Sequence, residues 1–263
     1  MKKTVKPRKC LVLVEFEDFY KPLSYFNDEF ELEVGDIVYV DGKLEGMQGR
    51  VIDITYNFHI KTNDYKKIVA VADTKLCGDI HLCGKYAFDL EGDVLPVEKV
   101  RTWFYSPLES SESFLNRSGK TYKLDDEKSW HFKEDERKRG EQLFAADKVV
   151  YLSVRDLCAY AIVQGSESFY EVQIPLAFGE KGYEFYAPVC DCFCFGTCKH
   201  QYAALLQLKQ LQKVLAEFFG DTHREYEDFA AVNTELLYRC CIAGKRGGKL
   251  TFNHFDSSDL SVF

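Results

Sequence analysis

The run Cys190-Asp191-Cys192-Phe193-Cys194-Phe195-Gly196-Thr197-Cys198-Lys199-His200 constrains this chain more than any other stretch. Four cysteines and one histidine fall within eleven residues. Side chains at i and i+2 of an extended segment point to the same side, so Cys190 and Cys192 can present two sulfurs to one point. Gly196 lets the chain reverse, and Cys198 and His200 close from the other side. The C-x-C-x5-C-x-H spacing thus offers three thiolates and one imidazole, a closed tetrahedral set that suits structural zinc. Four protein ligands leave no position for water, so Zn2+ here is expected to hold structure rather than drive hydrolysis. A second register, Cys192-x-Cys194-x3-Cys198-x-His200, puts Cys194 in place of Cys190. Its three-residue spacer leaves little room for a reversal around a metal, which favours the first register.

The neighbourhood of this knuckle is informative too. Arg139-Gly140-Glu141-Gln142-Leu143-Phe144 precedes two strand-like runs, Lys148-Val149-Val150-Tyr151-Leu152-Ser153-Val154 and Tyr170-Glu171-Val172-Gln173-Ile174. The knuckle follows, and then an apolar helical pattern. This order resembles a SWIM-type zinc finger of the bacterial kind, over residues 130–218, about a third of the chain. The resemblance implies Cys190, Cys192, Cys198 and His200 as ligands. It also implies nucleic acid, DNA first, as the partner, because such modules occur in proteins acting on chromatin, transposon ends and recombination. The five-residue spacer is at the short end for that family.

Composition bounds the rest. The chain has 263 residues, 46% hydrophobic and 15% aromatic, enough material for one large or two modest packed domains. A formal charge of −8 argues against a surface that is a polyanion trap throughout, while leaving room for a local basic patch. Ten cysteines would suggest disulfides in a small secreted domain. The chain instead opens on a basic, non-apolar segment with no signal-peptide core, so a cytoplasmic location with reduced or metal-bound thiols is expected. Cys10, Cys158, Cys240 and Cys241 stand in apolar surroundings and read as small buried hydrophobes.

In chain order, residues 1–9 carry five basic residues and no acid, a solvated terminus by the usual outcome. Strands are expected over 10–16, 38–40, 49–54, 56–61, 67–72 and 80–88. Val34-Gly35-Asp36 and Gly49-Arg50-Val51, bracketing a glycine-rich turn, resemble small barrels of the KOW or SH3 type. Tyr39 and Tyr56 are then candidates for stacking on bases of a single strand. Cys77-Gly78-Asp79-Ile80-His81-Leu82-Cys83 supplies too few ligands for a second metal and reads as part of a hairpin. Ser118-Gly119-Lys120-Thr121 lacks the first glycine of a phosphate loop, so no nucleotide cofactor is expected. Helices are expected over 125–146, 198–219 and 222–242, with Thr197 capping the second. Strands over 148–154, 160–163, 169–174 and 183–186 form a meander leading into the knuckle. Ala204, Leu208, Leu211, Leu215 and Phe218 fall at helical spacing on one side of the 198–219 helix.

The expected fold is α+β: an N-terminal barrel-like domain over 1–104, a linker over 105–124, the zinc domain over 125–220, and a C-terminal helix with a mobile tail over 221–263. No H-E-x-x-H, no G-x-S-x-G and no complete phosphate loop is present, and His59, His131, His223 and His254 are isolated, so no catalysis is expected. A nucleic-acid partner would be met by Arg137, Arg139, Lys199, Lys209 and Lys213 around the zinc site. The other reading is a protein-interaction adaptor, in which the knuckle and the apolar helix after His200 dock a partner. No membrane association is expected.

Overall fold

Cys10-Leu11-Val12-Leu13-Val14 is an apolar run that ends on Glu15, and it forms the first strand, β1 (Cys10–Glu15). The structure is a computed structural model. It describes residues 7–17, 19–106, 119–166, 168–179, 182–219 and 228–242. These divide into two compact units.

The first unit contains the described residues up to Leu76, together with 98–106 and 238–242. Beside β1 it holds β2 (Leu23–Asn27), β3 (Ile37–Val40), β4 (Gln48–Thr55) and β5 (Ile68–Val71), antiparallel in the order β2-β1-β4-β3-β5. Val12, Val14, Phe16, Tyr25, Val38, Val40, Val51 and Ile68 face one core. Gly49 is required by that packing: a Cβ there would fall 2.2 Å from a Val14 methyl and 2.8 Å from the Phe16 ring. The expected barrel is not closed. The edge strands meet only at one isolated parallel bridge, Phe26 with Lys67, rather than along a ladder. Residues 56–61 form no strand, and lead instead to a 3-10 turn at Thr62–Asp64.

The second unit contains the described residues from Cys77 to Val97 and from 119 to Leu237. A hairpin, β6 (His81–Cys83) and β7 (Tyr86–Asp89), begins it, as the 77–83 segment suggested. A short helix, α1 (Val97–Arg101), comes next in the chain and belongs from Glu98 on to the first unit, and the two-residue β8 (Tyr122–Lys123) resumes the second. Helix α2 (Glu134–Ala145) precedes a meander of β9 (Val149–Arg155), β10 (Cys158–Gln164), β11 (Phe169–Gly179) and β12 (Gly182–Phe185). The two-residue β13 (Val189–Cys190) pairs back on β11 and runs into the knuckle. Helix α3 (Lys199–Phe219), β14 (Phe229–Asn233) and the single turn α4 (Thr234–Leu237) complete the unit, and a π-helical turn at Tyr238–Ile242 leads back to the first. The sheet order is β6-β7-β14-β9-β10-β11-β12-β8. Helix α3 covers β9, β10 and β11, and Ala204, Leu205, Leu208, Leu211 and Leu215 are buried against Leu152, Ala161, Val172 and Ile174.

The fold is mixed α+β, with mostly antiparallel strands and few helices. Three further expectations change. The helix over 222–242 is formed only in its last part: among the described residues β14 takes 229–233, paired with β7 and β9, helical turns follow over 234–242, and 222–227 lie outside the described residues. Phe229-Ala230-Ala231-Val232 is buried as a whole, and a short apolar run does not distinguish a buried strand from a helix by period. The helix over 125–146 starts only at Glu134, after a 3-10 turn at Glu127–Ser129, because the Trp130 side chain turns inward and its indole N–H donates to the Lys123 carbonyl at 2.9 Å. The division at 104 also fails, since β6 and β7 belong to the second sheet through their pairing with β14. Much of the expected linker, the C-terminal tail and the first six residues lie outside the described residues.

Candidate metal centre

The knuckle is fastened at its entrance by a side-chain clamp. Cys190 pairs with Val172 and Val189 with Gln173 on β11. One residue on, the Asp191 carboxylate accepts the Glu171 N–H at 2.9 Å, while the Asp191 N–H donates to the Glu171 carbonyl at 3.2 Å. At the exit, the Gln201 side chain holds the turn. Its carboxamide oxygen accepts the Cys198 N–H at 2.8 Å and its NH2 donates to the Pro188 carbonyl at 2.8 Å. Gln201 stands three residues after Cys198, the reach of a capping side chain, so this clasp is a signal in the sequence that went unread. Thr197 does not cap α3: its hydroxyl donates to Glu136 Oε2 at 2.8 Å. Glu136 also accepts the Lys133 N–H at 3.0 Å, which ties the start of α2 to the knuckle.

These fastenings bring four donor atoms together. The ligating atoms of Cys190, Cys192, Cys198 and His200 all lie within 4.8 Å of one another. His200 Nδ1 is 3.8 Å from Cys190 Sγ and 4.0 Å from Cys198 Sγ. A tetrahedron with zinc–ligand lengths of about 2.0–2.3 Å has edges of roughly 3.5–3.8 Å. The cluster is therefore near the size that a four-coordinate ion needs, and the donor set fits a metal. Cys194 is exposed and stands outside the group.

The histidine presents Nδ1 to the sulfurs, which leaves Nε2 on its far side. That atom is buried and has no hydrogen-bond partner among the described residues. Ligating histidines are usually oriented by a hydrogen bond from the second nitrogen. Here a ring does the orienting: Tyr170 stacks on His200 with centroids 4.2 Å apart and planes 17° apart.

The thiols share protons unequally. The hydrogen bond from Cys190 draws the Cys198 thiol down to about 4, with help from His200. The same bond, added to burial, pushes the Cys190 thiol up, and burial pushes Cys192 up to about 11. Of the three, Cys198 is the thiol that ionises first. A divalent ion binding to all four residues must expel the remaining thiol protons, so its affinity falls as the pH falls.

The cations expected to meet phosphate are mostly engaged elsewhere. Arg137 donates to the Trp130 carbonyl at 2.6 Å and to Phe132 at 3.3 Å, and so fixes the approach to α2. Arg139 pairs with Asp135 one turn back on the same helix. Lys209 pairs with Glu127 at 2.8 Å and is only 18% exposed. Lys199 is half-buried and Lys213 exposed, and among the described residues neither is in an ion pair. The apolar stripe of α3 is core and presents no docking face, except Phe218, which is half exposed. The large apolar side chains that do face solvent in this region are Phe193 and Phe195, fully exposed on either side of Cys194.

Comparison with family models, with curated proteins and with solved structures gave no match to this chain. Among the described residues no helix is long and apolar enough to cross a membrane.

Proposed function

We propose that this protein is a zinc-dependent nucleic-acid-binding protein, DNA being its first expected ligand, with a structural and non-catalytic ion of the SWIM type. The observation that carries the metal half is the convergence of Cys190, Cys192, Cys198 and His200 within 4.8 Å. Three thiolates and an imidazole would hold Zn2+ with no place left for substrate or water. The ion would supply cohesion, fastening β13 and the start of α3 to one point. The nucleic-acid half is supported by Lys199 and Lys213 on α3, fourteen residues and roughly four helical turns apart, as phosphate contacts. Arg137, Arg139 and Lys209 would then act as structural cations instead of contacts.

The test is a fluorescence anisotropy titration of zinc-loaded protein with single-stranded, duplex and 3′-tailed DNA, at low and near-physiological salt. Saturable binding that weakens steeply with salt, and is lost on chelation or in Lys199→Gln/Lys213→Gln, is the expected result. No binding to any probe at low salt, with zinc bound, rejects the nucleic-acid half.

A second reading, a protein-interaction adaptor, draws on a different observation. Phe193 and Phe195 are 98% and 105% exposed at the tip of a turn braced by Gln201. Two such rings are the kind of anchor that fills a partner's pocket. A partner retained after nuclease treatment, and lost in Phe193→Ser/Phe195→Ser, would favour this reading over the first.

A further inference from the structure

The first unit carries an aromatic and basic surface that the metal site does not involve. Residues 56–67 connect β4 to β5 and are almost entirely exposed or half-exposed. Their large side chains face outward: Tyr56 is 47% exposed, Phe58 38% and Ile60 52%. An apolar set of this kind in a connection is unusual, because loops that need only solubility use polar residues. The segment is also built rather than loose. The Tyr65 hydroxyl accepts the backbone N–H of His59 at 3.1 Å and of Ile60 at 3.4 Å, and Phe58 sits edge-on against Phe26 at 6.1 Å.

The charge of this surface opposes that of the whole chain. The chain has a formal charge of −8, yet this segment holds Lys61, Lys66 and Lys67 and has Arg8 beside it, the Lys66 stem lying against Gly42. Arg8 lies over the Tyr56 ring at 4.0 Å and Lys67 over Phe26 at 5.6 Å. Acids are present too: Asp28 pairs with Lys67 at 3.4 Å, Asp41 accepts the Lys67 N–H, and Asp64 lies in the segment itself. Among the described residues neither Arg8 nor Lys61 has an ion pair with a carboxylate.

We propose that Tyr56 and Phe58, with Arg8 over the first ring and Lys61 three residues on from the second, form a binding site for single-stranded nucleic acid. Exposed rings stack on unpaired bases without regard to sequence, and interleaved cations follow the phosphates. A duplex hides its base faces within the stack, so these rings offer it nothing. A peptide partner acidic enough to match the cations would not need two exposed aromatic rings among them. The site goes beyond the zinc-dependent reading and does not rest on it, since every residue belongs to the first unit.

The experiment is a titration of the full chain with a fluorescein-labelled oligothymidylate, a duplex of the same length and anionic phosphatidylserine vesicles, before and after zinc chelation. Single-strand binding that exceeds duplex binding and survives chelation is the expected result, and it separates this site from one that needs the ion. Tyr56→Ala and Phe58→Ala should each weaken single-strand binding about tenfold, the scale of one lost base–aromatic stack. Arg8→Gln and Lys61→Gln should each lower the slope of log affinity against log salt by about 0.7. Circular dichroism and thermal melting check that these exposed substitutions leave the fold intact. Unchanged affinity in a folded Tyr56→Ala/Phe58→Ala double variant overturns the proposal. So does equal binding of duplex, or binding of vesicles without binding of the oligonucleotide.

Discussion

Cys194 and Cys190 compete, on spacing alone, for one place in the metal cluster. The geometry separates them, because Cys190 is pinned through its pairing with Val172 and Cys194 faces solvent. Cys198→Ala and His200→Ala are expected to abolish zinc uptake, and Cys194→Ala to leave the stoichiometry at one, as read by a colorimetric zinc assay on purified protein. Loss of zinc in Cys194→Ala with retention in Cys190→Ala would reverse the register. A different cysteine should govern alkaline stability. Burial pushes the Cys240 thiol up to about 11, only partly offset by Arg239 and Arg50. An unfolded thiol titrates near 8.5, so between roughly 8.5 and 11 the unfolded chain releases a proton that the folded chain keeps. Stability is therefore complete below the unfolded value and falls as the pH rises through the folded one, by about 3 kcal/mol at most. Cys240→Ala should remove this part of the alkaline loss, seen by comparing urea midpoints of the two proteins from pH 8 to pH 11.

Among the helices, α2 and α3 owe their close approach to a single position. A Cβ on Gly140 would stand 2.8 Å from the Tyr202 ring and 2.9 Å from the Lys199 carbonyl oxygen. The ring has little room to yield, because Trp130 and Phe132 pack on it at 5.5 and 5.1 Å. Gly140→Ala should therefore cost about 1–3 kcal/mol by overpacking, despite alanine's better helix propensity. Thermal denaturation of the zinc-loaded variant measures it, and a stabilised protein would show that the helices separate freely. Among the strands, β14 is the least expected. It lies between β7 and β9, so a segment late in the chain becomes the middle of a sheet begun near residue 81.

The two units differ in what holds them. The first has its own aliphatic core around Val12, Val38 and Val51. The second combines a larger core under α3 with the proposed zinc knuckle. A thiolate-rich structural zinc contributes on the order of 10 kcal/mol to the folding of a small module, and the large core here reduces the share that folding requires of it. Chelation is expected to lower the melting of the second unit and spare the first. Calorimetry with and without a chelator should then resolve one transition that moves and one that does not. A single transition that moves as a whole would mean that the units unfold together.

Much of the candidate site was legible because a metal cluster concentrates its information in a short stretch. Cys190, Cys192, Cys198 and His200 are near neighbours in the chain, and their spacing limits how they can converge. The strands of the meander were legible for a similar reason, since alternation and apolar runs are local. The partners that fix the site are not local. Tyr170 beneath His200, and Glu136 receiving Thr197, are thirty and sixty-one residues away from what they touch, and no spacing rule connects them. The same distance hid the fate of the cations. Arg137 and Lys209 look available along the sequence, and the fold spends them on a carbonyl and a carboxylate. β14 escaped for a physical reason as well: a strand buried on both faces loses the alternation that identifies strands. The sequence by itself thus carried the metal chemistry and the α+β class. The pairing of distant segments settled the division into units, the course of the second sheet and which charges remain free to meet a ligand.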